Sequence, residues 1–204
     1  MRNLNYMNLC AARMGHFKKR KGNKKMDEEF DMILLGAKPD LKKVIGLHAL
    51  WLEGKDGGKR ANLSHADLSG CNLDNVDLSY ANLFDVKLIS ASLRGAILYK
   101  ADLSNSHLNG ADLSNANLSK ADMHECLMAG AKLAEADLSY AHMASAILND
   151  ANLQLATMRG ACLFRAEMKR CDLTNAFMED VNITDADMTD AVLKGTIYEE
   201  NEDD

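Results

Sequence analysis

From Ala61 onward, apolar residues return every five positions. Residues 111–123, ADLSNANLSKADM, show the rule: Ala111, Ala116 and Ala121 are five apart, and so are Leu113, Leu118 and Met123. Neither regular element keeps such a stripe on one side. On an α-helix five residues turn the chain by about 500°, so the stripe would drift by roughly 140° per repeat. On a plain strand an odd period sends successive stripe residues to opposite faces. The period therefore belongs to a larger unit, a solenoid whose repeats bury their apolar side by stacking on their neighbours.

Cut every five residues from Ala61, the chain reads ANLSH, ADLSG, CNLDN, VDLSY, ANLFD, and continues without insertion or deletion to AVLKG at 191–195. That is 27 pentads over 135 residues. All 27 third positions, Leu63 to Leu193, are Leu, Met or Ile. The first position is Ala in 20 pentads, and the exceptions are Cys71, Val76, Val86, Ser106, Cys126, Cys171 and Val181. This pattern resembles the A(D/N)LXX motif of the pentapeptide repeat family, over about two thirds of the chain. The resemblance implies an all-β solenoid: a right-handed quadrilateral parallel β-helix in which four pentads make one square coil. First and third positions then point inward, and second, fourth and fifth positions outward. One long aliphatic and one small group per side suit a narrow square tube. At a coil spacing of about 4.8 Å the repeats give about seven coils, a rod roughly 33 Å long. Many later third positions are Met (Met123, Met128, Met143, Met158, Met168, Met178, Met188), a flexible gap-filler that specifies packing less tightly.

A solenoid needs caps, because its end coils expose apolar cross-section and strand edges. In KPDLKKVIGLHALWLEGKDGGKR (38–60), Pro39 and Asp40 mark a helix start, Val44, Leu47, Leu50 and Trp51 fall at helical spacing, and Gly54, Gly57 and Gly58 end it. A helix over 40–53 is expected to lay Trp51 and its neighbours on the first coil as a short helical N-terminal cap. An earlier short helix over 27–37 assists it. The domains are then a basic segment at 1–25, the cap at 26–60, the β-helix at 61–198 and an acidic tail at 199–204. The C-terminal end has three readings: closure by Ile197 and Tyr198, a homodimer through the last coil as family members often form, or a monomer with a polar frayed tail.

Residues 1–25 hold 8 Lys/Arg and no acid, with the run KKRKGNKK just before Met26. A basic arm for nucleic acid or anionic lipid is one reading. A transit peptide is another, against which stand the lack of Ser and Thr and a basic cluster that follows the apolar part. The third is translation from Met26, since purine-rich Lys, Arg and Gly codons resemble a ribosome-binding site. The segment is taken as disordered or as a misassigned start.

Charge sharpens the division. The net charge of −6 splits into +7 for residues 1–60 and −13 for residues 61–204. An acidic repeat region does not grip nucleic acid by neutralising phosphates, so no direct nucleic-acid binding is expected of it, but it can attract a basic partner surface. The 47% hydrophobic content supports one sizeable core, and with 5% aromatics that core is built from small and aliphatic groups. Five cysteines without framework spacing fit a reducing, cytoplasmic setting, and no apolar run approaches the 18 or so residues of a membrane span.

Counting pentads in fours places outward residues in columns. One column reads Asn62, Asn82, Asp102, Asp122, His142, Cys162, Asn182. Asp122, His142 and Cys162 would stack, and an acid, an imidazole and a thiol can activate a thiolate or ligate a metal. A flat face offers no oxyanion hole and does not exclude water, so neither catalysis nor a metal site is assigned. His65, His107 and His124 show no tighter cluster, no phosphate-loop, dinucleotide or zinc motif occurs, and no cofactor is expected. The fourth face collects Tyr80, Ile97, Tyr99, Tyr140 and Phe177 at outward positions, three of the five tyrosines among them. Exposed aromatics of this kind suit a protein contact, and these five are the candidate partner-binding residues.

The chain is therefore expected to be a non-catalytic interaction scaffold for a protein partner. The alternative is mimicry of DNA: some members of the family bind type II topoisomerases such as gyrase and protect them from quinolones, and the −13 charge is compatible with that role. Three departures weaken the carry-over. No Phe stands at a third position, no loop interrupts the coils, and no C-terminal dimer helix is expected; Lys87, Arg94, Lys132, Arg159, Arg165 and Lys169 are also mixed among the acids.

Overall fold

A computed structural model describes residues 40–198. The basic segment 1–25, the helix expected over 27–37 and the acidic tail 199–204 lie outside the described residues. The first element among the described residues is a helix, α1 (Leu41–Leu52). Asp40 caps it, its carboxylate accepting the Lys43 N–H at 3.1 Å. Helix α1 rests Leu41, Val44 and Ile45 on the core and buries His48 completely. The His48 Nδ1 accepts the Ala61 N–H at 3.0 Å, so it receives the first backbone donor of the repeats. Burial pushes the His48 imidazole below its ordinary range, which keeps that nitrogen an acceptor. His48, rather than Trp51, is thus the buried anchor of the helix. Trp51 lies at the rim, 37% exposed, stacked on His48 at 5.5 Å.

Every pentad then forms one short extended side and one corner. Second positions pair in parallel with the residue 20 further on, in four columns that start at Asn62, Asp67, Asn72 and Asp77. Four columns at a step of 20 mean four sides per coil, and the five-residue period is the length of one side with its corner. The backbone pairing repeats with little variation. The Leu63 N–H donates to Asn82 C=O at 2.8 Å, the Asn82 N–H returns to Ala61 C=O at 3.0 Å, and the His65 N–H donates to Phe84 C=O at 2.9 Å. At each corner a first-position N–H donates to the third-position C=O before it, as Ala66 does to Leu63 at 3.1 Å.

The corner demands a left-handed residue. All 27 fifth positions have φ between 52° and 70°, and six of them are Gly. None is Val, Ile or Thr, the side chains least able to adopt that backbone. The second and fourth positions brace the corner. The Asp102 carboxylate accepts both the Ser104 N–H at 3.1 Å and its hydroxyl at 2.6 Å, and Asn117 accepts the same two groups of Ser119 at 3.0 and 2.6 Å. Asp or Asn at the second position and Ser at the fourth are thus one device.

First and third positions fill the tube, nearly all of them fully buried from Ala61 to Met178. Met123, Met128, Met143, Met158 and Met168 are as buried as the leucines. The polar exceptions at the first position are satisfied in a common way. The Ser106 hydroxyl donates to Leu83 C=O at 2.8 Å, the Cys126 and Cys171 thiols donate to Leu103 and Leu148 C=O at 2.9 Å, and the Thr196 hydroxyl donates to Leu173 C=O at 2.9 Å. Burial pushes the Cys126 thiol up to about 12 and Cys171 to about 11, so both stay protonated and unreactive.

The far end differs. Third-position residues Ile183 and Leu193 are 38% and 43% exposed, and Ile197 and Tyr198 are themselves exposed. Among the described residues Ile197 continues the fourth column by pairing with Phe177, and both Ile197 and Tyr198 stay exposed, so closure by these two side chains, one of the three readings, is not what is seen. No helix among the described residues is long and apolar enough to cross a membrane.

Candidate functional site

The five candidate residues separate into two groups. Tyr80 and Tyr99 meet edge to face at 5.5 Å between centroids, and Trp51 of α1 packs edge-on to Tyr80 at 6.3 Å. The Lys100 Nζ stands over both rings, 5.6 Å from Tyr80 and 5.2 Å from Tyr99. Lys120 continues the strip, 5.8 Å from Tyr99 and 6.0 Å from Tyr140. Tyr80, Lys100, Lys120 and Tyr140 are successive fifth positions of one corner, 20 residues apart. Gly160 comes next, and a β-carbon there would stand 2.6 Å from the Tyr140 ring, so the glycine leaves room for the ring to lie over the backbone. The result is a continuous aromatic and cationic strip from the helix to the middle of the rod. Ile97 lies beside it, 38% exposed. Phe177 does not join it: Asn117, Asp137 and Thr157 separate it from Ile97 along their column, and it pairs with Ile197 near the open end.

Trp51, Lys100 and Lys120 are absent from the sequence-derived set. The signal for the lysines lies in the 20-residue step of the fifth position, which places them between two tyrosines. Trp51 carries no repeat signal and becomes part of the strip through the packing of α1.

The second cluster surrounds Asp122. His142 and Cys162 stack on it as expected, paired in order along one column. The His142 Nδ1 lies 3.2 Å from Asp122 Oδ1, and Cys162 is largely buried. The expectation that His124 joins no cluster is incorrect: its Nδ1 lies 2.7 Å from the same Asp122 oxygen, and the two imidazoles are 5.6 Å apart. Column counting misses this contact because His124 stands at the fourth position of the pentad that holds Asp122. It occupies the place of the corner serine, and its ring nitrogen takes the role of the hydroxyl. Burial pushes the Asp122 carboxyl up, but hydrogen bonds from His142 and His124 outweigh that and hold it at about 2.

The acids of the later coils are widely matched by cations. Arg170 donates twice to Asp150 at 2.6 Å, and Arg159–Glu179, Lys169–Asp187, Arg165–Asp185 and Lys132–Asp112 pair at 3.0, 3.1, 3.5 and 3.9 Å. Such solvent-exposed pairs add little to stability. Their larger consequence is to break the acidic field into short segments.

Fold and faces together define a quadrilateral β-solenoid that presents flat, regular sides. A family model described as pentapeptide repeats matches residues 59–95, 96–133, 126–163 and 161–197, and the chain belongs to the pentapeptide repeat family, with its right-handed quadrilateral β-helix. Among solved structures it is similar to HetL of the cyanobacterium Nostoc sp. strain PCC 7120, a pentapeptide repeat protein involved in heterocyst differentiation regulation. Identity is 25% over 72% of this chain and 91% of that one, with a TM-score of 0.47. Rfr23 of Cyanothece 51142 is similar at 24% identity over 75% and 97%, with a TM-score of 0.44. QnrB1, a plasmid-mediated fluoroquinolone resistance protein, is similar at 16% identity over 70% and 86%, with a TM-score of 0.32. No curated protein matches the chain significantly.

Proposed function

We propose that the protein is a non-catalytic scaffold that binds a protein partner along the strip Trp51–Tyr80–Tyr99–Lys100–Lys120–Tyr140. The observation that carries this reading is the continuity of the strip, in which each aromatic ring touches another ring or a lysine. Tyrosine and tryptophan supply large contact area at small entropic cost, and they dominate the energetics of many interfaces. Cation–π contacts of about 0.5–1 kcal/mol each hold the lysines over the rings before any partner arrives. The β-solenoid behind the strip fixes its shape, so binding need not order it. The partner that suits this surface presents apolar groups beside carboxylates.

DNA mimicry draws on the −13 charge of residues 61–204, while the ion pairs across the later coils work against a continuous acidic track. Photo-crosslinking separates the two readings. A benzophenone amino acid is placed at Tyr99 and, as a control on another face, at Lys132. The scaffold reading expects one discrete adduct in host cells from position 99, lost when Tyr80 and Tyr140 are both changed to Ser, and no such adduct from position 132. Inhibition or protection of purified gyrase by the chain, unaffected by those tyrosine changes but abolished by salt, would replace the scaffold reading with the mimic.

A further inference from the structure

We propose that Asp122, His124 and His142 form a binding site for a divalent transition-metal ion of the zinc class, on the side of the rod that begins just after the corner of the tyrosine strip. One ligand atom from each residue lies within 4.8 Å of the other two. Of the two nitrogen-to-carboxylate separations, 3.2 Å for His142 falls within the spacing of about 3.0–3.4 Å between neighbouring ligands of an ion bound at ~2.1 Å, and 2.7 Å for His124 would have to open slightly. Two imidazoles and one carboxylate suit zinc, copper, nickel and cobalt better than magnesium or calcium, which prefer an all-oxygen shell.

Two departures from the repeat converge to make the site. His124 stands where the braced corner has Ser or Thr, as in Ser104, Ser114 and Thr189. His142 stands where most columns carry Asp or Asn. Its own fourth position is Ala144, which has no hydroxyl to brace. His124 keeps the corner brace with an imidazole in place of a hydroxyl, and Asp122 links it to His142. The His142 side chain is 14% exposed, and its Nε2 is buried with no hydrogen-bond partner among the described residues. Ligation would run through the His142 Nδ1, the ring nitrogen that already faces Asp122. Asp102 lies one coil away on the same column and adds negative potential. The ion would replace the protons now shared between Asp122 and the two imidazoles, leaving its remaining positions to water.

The repeat itself supplies variants that retain the fold. His124→Ser restores the ordinary corner, and His142→Asn restores the ordinary column. Calorimetry with zinc chloride on the full chain is expected to show one ion more in the wild type than in the double variant. Each single variant should weaken that event about a hundredfold. Zinc should raise the melting temperature of the wild type and leave that of the double variant unchanged, while metal-free circular dichroism is the same for both. Copper(II) paramagnetic resonance should show coupling to two imidazole nitrogens, reduced to one by His124→Ser. Equal zinc stoichiometry and affinity in wild type and double variant would overturn the proposal, as would no binding to the wild type at millimolar zinc.

Discussion

At the scale of single residues, the fold depends on how each side chain tolerates its backbone as well as on which side chains are buried. The left-handed fifth position holds Asn, Asp, Gly, Lys, Arg, Glu, Ser, Tyr, His and one Leu, so its composition looks like ordinary surface and its backbone requirement was not legible. The first and third positions were legible because a narrow tube admits few substitutes for Ala and Leu. Leu155 is the residue least suited to its corner, with φ 58° and a side chain 48% exposed. Asn tolerates this region better because its short amide bonds to nearby backbone. Leu155→Asn should therefore stabilise the protein by about 1 kcal/mol, read as a higher urea midpoint. Leu155→Val should lower the midpoint, since a branched β-carbon meets the strain in full. Equal midpoints for the two variants would show that the corner backbone does not discriminate between side chains.

At the scale of the pentad, the corner is an electrostatic as well as a steric unit. Three corner carboxylates braced by a hydroxyl sit below their usual range. For Asp112, burial pushes up, and the hydroxyl and N–H of Ser114 outweigh it. For Asp172 the Thr174 hydroxyl leads, and for Asp187 the Thr189 hydroxyl leads, holding that carboxyl at about 2. A carboxylate depressed in the folded state adds stability above its unfolded value of about 4, and this is lost as pH falls towards its folded value. Changing all three to Asn should leave the protein folded at pH 7, because Asn117 makes the same two bonds to Ser119. The urea midpoint should then fall less between pH 4 and pH 2 than in the wild type. An equally steep fall would place the acid sensitivity elsewhere. The same corner explains what sequence reading recovered of the candidate sites. Counting in steps of 20 stacked Asp122 with His142 and put Tyr80 and Tyr99 on successive pentads of the fourth side, because parallel pairing fixes that register. It missed His124, whose contact with Asp122 runs within one pentad, and Trp51, which reaches Tyr80 only through the packing of α1.

At the scale of the whole molecule the two ends of the rod are unequal. Near the helix, His48 accepts the first repeat N–H and Leu41, Val44 and Ile45 cover the core. At the other end Ile183, Val192, Leu193, Ile197 and Tyr198 are all between 38% and 48% exposed. In a solenoid each coil is stabilised by its neighbours, so a coil with one neighbour opens more readily than a coil with two. Amide hydrogen exchange should therefore be slowest across the middle coils and fastest over 181–197. Pairing with a second copy through this end would cover the apolar third positions and supply partners for the last backbone edge. On that reading, raising the protein concentration from micromolar to several hundred micromolar should slow exchange over 181–197 selectively, with no change near α1. Ile183→Asp combined with Leu193→Asp should abolish the concentration dependence, because neither side chain is needed to fill a closed coil and a buried pair of carboxylates opposes association. Exchange over 181–197 that stays fast at every concentration would identify the protein as a monomer, with its last coil frayed and the tyrosine strip as its remaining extended apolar surface.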